Sequence, residues 1–124
     1  MIDEILRLAT ERPEVEICGL LLGRGAVVEE LRACANVAAD PADSFEIDPA
    51  ALIAAHREAR GGGLAPIGHY HSHPRGPAEP SARDAAMAEP GSWWLIVGEG
   101  RVRGWRARAD GGFDPVTLSD HLNP

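Results

Sequence analysis

The sequence that decides the fold of this chain is Gly68-His-Tyr-His-Ser-His-Pro74, followed after six residues by Ser81-Ala-Arg-Asp84. The apolar run from Leu64 to Gly68 leads directly into the histidines, which favours a strand that enters a site. Side chains of a strand alternate between its two faces. We therefore expect His69, His71 and His73 on one face, and Tyr70 and Ser72 on the other.

Two histidines at this spacing are suited to hold a metal ion. Residues two apart on a strand lie roughly 6.6 Å apart, so two imidazoles can converge on an ion about 2.0–2.1 Å from each nitrogen. Pro74 ends the strand, the turn-rich residues 75–80 follow, and Ser81 opens a short helix that reaches Met87 or Ala88. Zinc sites with an open position use three ligands drawn from histidines and carboxylates. The sequence thus predicts zinc bound by His71, His73 and Asp84.

Other interpretations of the same residues remain open. Ser81 and Asp84 have the spacing of a helix capping box, and histidines near a strand end are often ordinary polar residues. The two roles are compatible, since Ser81 can cap the helix while its hydroxyl faces the metal. We expect His69 to lie near the pocket but not on the ion. Ser72 should point away from the metal and fix loop geometry.

This pattern, His71-x-His73-Pro74 and then Ser81-x-x-Asp84, resembles the motif of the JAMM/MPN+ (JAB domain) metallopeptidases. Members also carry an upstream glutamate before Cys-Gly-Leu-Leu-Leu-Gly, and this chain has Glu16-Ile-Cys-Gly-Leu-Leu-Leu-Gly23. From the residues alone, Glu11, Glu14 and Glu16 could not be separated. The resemblance selects Glu16, with Glu14 a second choice. It spans nearly the whole chain and implies a zinc cofactor.

The resemblance also implies a function. It is closest to the small stand-alone prokaryotic members, so we expect a zinc hydrolase that cleaves a peptide or isopeptide bond. The substrate would be the C-terminal tail of a ubiquitin-like or sulphur-carrier protein. Glu16 would move the proton of the attacking water, and Ser81 would donate a hydrogen bond to the oxyanion. The alternatives are a metal-dependent amidase acting on cell-wall peptides and a non-catalytic docking module.

Length and composition exclude several other classes. With 124 residues we expect one domain, residues 1–124. The formal net charge of −7 argues against nucleic acid as a partner. No apolar run approaches the roughly 20 residues that span a bilayer, and the acidic N-terminus does not resemble a signal peptide. Cys18 and Cys34 are therefore expected as reduced thiols in the cytoplasm, although a disulfide between them is possible.

The remaining patterns predict an α/β fold: a mixed, mostly antiparallel curved β-sheet, two longer helices, and a short helix at the metal site. The first longer helix covers Ile2–Arg12, and the second begins with an Asp48 cap and Pro49 and ends near Arg60. The three tryptophans are expected in the sheet, and the arginines of the penultimate strand on a solvated face. The predicted strands, besides the one entering the histidines, are Glu16–Arg24, Val27–Cys34, Phe45–Ile47, Ser92–Val97, Arg101–Ala109 and Phe113–Leu118.

Overall fold

The computed structural model of the protein describes residues 1–118. These residues form six strands and three helices. In chain order the elements are α1 (Ile2–Glu11), β1 (Cys18–Arg24), β2 (Val27–Cys34), α2 (Pro49–Arg60), β3 (Ala65–Ser72), α3 (Ala82–Met87), β4 (Trp93–Gly98), β5 (Arg101–Ala107) and β6 (Phe113–Val116).

The strands form one curved sheet in the order β2-β1-β3-β4-β5-β6. Strands β3 and β4 pair in parallel, and the segment between them, which includes α3, crosses from the end of one to the start of the other. The other neighbouring pairs are antiparallel. The predicted mixed, mostly antiparallel sheet is therefore confirmed. The crossover begins at the carboxyl end of β3, a central strand, where the histidines lie.

Helix α1 covers one face of the sheet. Ile5 is fully buried and packs in a cluster with Leu21, Tyr70 and Leu95. A Cβ atom on Gly19 would lie only 2.3 Å from the Tyr70 ring, so a glycine at this position lets the ring pack flat across the neighbouring strand. Asp3 and Glu4 lie in the first turn of α1, where the helix dipole favours negative charge.

Helix α2 and the residues before it cover the opposite face. Cys18, Leu20 and Leu22 of β1 form a second buried cluster with Phe45 and other residues of that segment and helix. The Asp48 side chain accepts a hydrogen bond from the Ala50 amide, and Pro49 occupies the first turn. The start of α2 is thus as predicted. The Asp48 side chain binds one of the first amides of the helix, and Pro49 has no amide hydrogen that would need a partner.

Several boundaries differ from prediction. The strand predicted from Glu16 begins at Cys18, β5 ends at Ala107, and β6 ends at Val116. The predicted strand Phe45–Ile47 is wrong, because only one isolated bridge, between Ile47 and Asn36, forms there. The Asn36 side chain binds the Ser44 carbonyl and the Glu46 amide, so side-chain contacts supplement the few backbone hydrogen bonds of this segment.

The two thiols, Cys18 and Cys34, are free although they are paired across β1 and β2. No helix of residues 1–118 has the length and apolar character needed to span a membrane. That residues 1–124 make up one domain stays a prediction, since residues 119–124 lie outside the described part.

Candidate metal centre

Strand β3 divides its side chains between the two faces as its sequence predicts. Tyr70 belongs to the cluster under α1, whereas the His69 and His71 rings contact each other and Phe45 on the α2 face. His73 lies just past the end of the strand, and its amide donates to the Val97 carbonyl at 2.7 Å, which continues the pairing with β4. His71 and His73 therefore lie close together at the carboxyl end of β3.

Three side-chain atoms converge at this point. His71 Nε2 lies 3.1 Å from His73 Nε2 and 3.3 Å from Asp84 Oδ2. His73 Nε2 lies 3.1 Å from the same Asp84 oxygen. Ligands of a tetrahedral zinc ion with bonds of about 2.0–2.1 Å stand about 3.3 Å from one another. The triangle therefore has the size of one face of a zinc coordination shell.

The hydrogen bonding of His73 supports the same interpretation. His73 Nδ1 lies 2.8 Å from the Pro77 carbonyl oxygen, which can only accept, so Nδ1 carries the proton. In the neutral ring Nε2 then presents a lone pair to a carboxylate oxygen and to a second imidazole. Three such atoms need a positive charge among them, which a proton on an Nε2 facing Asp84 provides in the metal-free protein. A divalent metal ion supplies that charge, and the donor set of two imidazoles and one carboxylate suits zinc.

Asp84 is held by the start of α3. Ser81 Oγ accepts from the Asp84 amide at 3.0 Å, while Asp84 Oδ2 accepts from the Ser81 amide at 2.9 Å. This is the predicted capping box, and it aims the carboxylate at the histidines. The carboxylate is buried, which would raise its pKa, but its hydrogen bonds to His71 and His73 outweigh burial and lower the pKa well below its usual range. Asp84 is thus an ionised, oriented acceptor.

Glu16 lies beside this triangle. Ligand atoms of Glu16, His71 and His73 all fall within 4.8 Å of one another, so Glu16 is a competing candidate for the third ligand. Asp84 is closer to both rings, at 3.1–3.3 Å. The Glu16 residue is only 7% exposed, and burial raises the pKa of its carboxyl from 4.5 to about 7. A carboxyl with that pKa near neutral pH is suited to accept and release a proton.

The backbone around Glu16 is fixed from two sides. Its amide donates to the Pro41 carbonyl at 2.7 Å, and its carbonyl accepts from Asn36 Nδ2 at 2.9 Å. On the other side, the buried Ser72 hydroxyl accepts from the Ile17 amide at 2.9 Å. Ser72 therefore points away from the histidines and fixes the chain next to Glu16, as the sequence predicts.

Ser81 lines an open cleft of about 350 Å³ together with Glu16 and His73. Its oxygen accepts the Asp84 amide, and its hydroxyl proton has no acceptor among residues 1–118. That proton is available to a ligand in the cleft. The capping role and the predicted catalytic role of Ser81 are therefore compatible.

His69 and Phe45 complete the surroundings. The His69 ring lies 4.1 Å from the Trp94 ring centre and 5.1 Å from that of Phe45, outside the triangle. Burial lowers the pKa of His69 to about 3, so the ring is neutral. Phe45 stacks on His71 with centroids 4.3 Å apart. The sequence does not predict this contact, because Phe45 and His71 lie in segments far apart in the chain.

Comparisons with known proteins agree with the family resemblance seen in the sequence. The model of the Prok-JAB family, described as prokaryotic homologs of the JAB domain, matches residues 1–108. The chain belongs to this family. Among curated JAB relatives, a desampylase of Haloferax volcanii is 35% identical over 108 residues, covering 81% of this chain and 78% of the relative. A probable TtuB-protein conjugate cleaving protease of Thermus thermophilus is 38% identical over 96 residues, covering 77% and 64%.

Solved structures agree with the JAB assignment of the fold. A solution structure of a Desulfitobacterium hafniense protein superposes with a TM-score of 0.76 and 31% identity, covering 92% of this chain and 84% of the other. One of a Salinibacter ruber protein gives a TM-score of 0.67 and 29% identity, covering 99% and 90%.

Proposed function

We propose that this JAB-family protein is a zinc-dependent hydrolase that cleaves a peptide or isopeptide bond at the C-terminal tail of a ubiquitin-like or sulphur-carrier protein. The observation that carries the proposal is the convergence of His71, His73 and Asp84 within 3.1–3.3 Å, with Glu16 beside them. The names of the relatives, desampylase and TtuB-protein conjugate cleaving protease, supply the substrate class.

The roles within the site follow from its hydrogen bonds. His71, His73 and Asp84 would hold the ion, which when bound supplies a Lewis acid that activates water and polarises the scissile carbonyl. Glu16 would accept a proton from the attacking water and deliver it to the leaving amine. The Ser81 hydroxyl, with its oxygen already engaged by the Asp84 amide, would donate to the oxyanion as negative charge develops.

The two other candidate functions find less support. A docking module needs no aligned pair of imidazoles facing a buried carboxylate, so the geometry at Asp84 favours an enzyme. A cell-wall amidase would use the same chemistry, but the named relatives act on protein conjugates. A cytoplasmic location, expected from the sequence, is part of the proposal.

The test uses a ubiquitin-like carrier that ends in Gly-Gly, joined by an isopeptide bond to a lysine peptide, and the same carrier with a C-terminal extension. The zinc-loaded protein should release free carrier from one or both. Removal of metal by a chelator should abolish release, and zinc should restore it better than manganese or iron. If only iron or manganese restores release, the metal in the proposal is not zinc, but the protein is still a metal-dependent hydrolase.

Ser81→Ala tests the oxyanion role when zinc affinity is measured on the same sample, because the change also removes the cap that holds Asp84. Its control is Thr117→Ala, which removes an exposed hydroxyl that does not line the cleft. Losing one oxyanion donor lowers kcat by about 10²–10³-fold in a comparable site.

Failure of the metal-loaded protein to cleave any of several such carriers, combined with cleavage of a peptidoglycan digest, would favour the amidase.

A further inference from the structure

The loop that joins His73 to Ser81, residues 74–80, is held by contacts outside the candidate ligand set. Its Pro77 carbonyl orients the His73 ring, as described above. The next carbonyl along the chain, that of Ala78, accepts from Trp105 Nε1 on β5 at 3.0 Å. Ala78 itself is buried. The backbone of Pro77 and Ala78 is thus fixed by a candidate metal ligand at the Pro77 carbonyl and by a β5 side chain at the Ala78 carbonyl.

Arg103 lies against both Trp105 and the loop of residues 74–80. Its guanidinium carbon lies 4.6 Å above the centre of the Trp105 ring, and its Nη1 lies 3.7 Å from a Glu79 carboxylate oxygen of the loop. Both contacts are partly exposed, so each contributes modestly. Together they explain why an arginine of the predicted solvated face lies against the loop.

Gly98, at the end of β4, lies against the peptide that joins Pro77 to Ala78. A Cβ atom there would come within 2.4 Å of the Pro77 carbonyl carbon, 2.5 Å of the Ala78 amide nitrogen and 2.6 Å of the Gly76 oxygen. All three are backbone atoms of the loop, which cannot move aside as a flexible side chain can. Gly98 has no left-handed φ, so the loop contact itself requires the absence of a side chain.

We propose that Trp105 and Gly98 are positioning residues for the metal site: they fix the backbone of Pro77 and Ala78, and the Pro77 carbonyl sets the orientation of His73. The inference rests on the proposed function, since it assumes that His73 binds the ion. The physical reason is that hydrogen bonds to the second nitrogen of a ligating histidine fix the ring, and disturbing them typically weakens metal binding about 10–100-fold.

The test measures cobalt and zinc affinity by competition with a chromophoric chelator, together with the visible spectrum of the cobalt form. Gly98→Ala should weaken binding about 10–100-fold, because its methyl displaces the 77–78 peptide. Trp105→Phe should weaken binding by about 10-fold, because it removes the indole N–H that binds the Ala78 carbonyl while an aromatic ring stays in place. Both should change the cobalt spectrum, which reports ligand geometry and does not respond to a mere loss of stability.

Matched controls are available in the same structure. Trp93→Phe makes the same chemical change in a tryptophan that stacks under Arg106, on the opposite face of the sheet. Gly76→Ala adds a methyl to the loop itself, where the nearest atom would be His73 Cβ at 3.8 Å, an ordinary contact. Both controls should keep the wild-type affinity and spectrum.

The outcomes separate the two proposals. Wild-type affinity and spectrum in Trp105→Phe and in a folded Gly98→Ala would overturn this inference and leave the proposed function intact. If Gly98→Ala does not fold, Trp105→Phe alone decides. No metal binding by the wild-type protein would overturn the proposed function and this inference with it, and equal losses in Trp93→Phe and Trp105→Phe would also overturn the inference.

Discussion

At the scale of single residues, the site depends on which carboxylate faces the ion. Asp84 and Glu16 are both buried near the two rings, but Asp84 is oriented by a capping box and held ionised by the histidines. Burial raises the pKa of Glu16 to about 7, and no such pair of hydrogen bonds opposes it. This difference in environment assigns binding to Asp84 and proton transfer to Glu16.

Glu16→Gln should separate the two roles. The amide keeps the size of the side chain but cannot accept the proton, so kcat should fall by about 10²–10⁴-fold, the usual contribution of a general base. Zinc affinity should stay close to that of the wild type. Assays of carrier release and of zinc competition on the same samples check this. A variant that loses zinc as well as activity would make Glu16 a ligand.

The pKa of Glu16 also predicts a pH dependence for the metal-free protein. Its folded-state pKa, about 7, lies above the ordinary value of 4.5, so the folded state loses stability as pH rises from 4.5 to about 7. Metal-free Glu16→Gln should therefore gain stability relative to the wild type between these pH values. Urea unfolding at several pH values measures the difference. A difference that is constant with pH would contradict the burial of a neutral Glu16.

At the scale of elements, β3 organises the site from both of its faces. His71 reaches the candidate metal centre on one face, while Ser72 on the other binds the chain beside Glu16. A single strand thus fixes both the candidate ligand and the candidate base. The loop of residues 36–47 completes the arrangement, because Pro41 and Asn36 bind the Glu16 backbone.

Ser72→Ala should affect proton transfer by Glu16 more than zinc binding. It leaves the Ile17 amide without its buried acceptor, which costs about 1–3 kcal/mol of stability. We expect kcat to fall with little change in zinc affinity, since His71 and His73 keep their contacts. Thr117→Ala, which removes an exposed hydroxyl, should change neither kcat nor stability measurably. Equal effects of the two variants would exclude the positioning role of Ser72.

The sequence predicted the elements far better than the contacts that lie between them. Alternation along β3 placed His71 and His73 correctly, because strand geometry has a fixed period. The resemblance was needed to choose Glu16, since nothing local distinguishes it from Glu11 and Glu14. The contacts of Asn36, Phe45 and Trp105 were not predicted, because each joins segments far apart in the chain and leaves no periodic pattern.

At the scale of the whole molecule, the two faces of the sheet bury different kinds of residue. The α1 face is an apolar cluster around Ile5 and Tyr70, whereas the α2 face combines apolar residues with the buried polar groups of the site. Glu16, His71 and Asp84 are all buried, and close spacing of such groups disfavours the folded state unless a cation compensates. The metal-free fold should therefore be less stable than the loaded one.

Zinc should accordingly raise the melting temperature of the wild-type protein. At free zinc about 100 times the Kd, mass action contributes about 2.7 kcal/mol, which corresponds to a shift of several degrees. His73→Ala should show little or no shift at the same zinc concentration. Differential scanning calorimetry of both proteins measures it, and equal shifts would place the bound zinc elsewhere.

A crystal structure of the zinc-loaded protein with anomalous diffraction at the zinc edge would show which side chains bind the ion. We expect one peak about 2.0–2.2 Å from His71 Nε2, His73 Nε2 and Asp84 Oδ2, with the Glu16 carboxylate beyond bonding distance. A peak bound by Glu16 in place of Asp84, or zinc found only away from both histidines, would contradict this expectation.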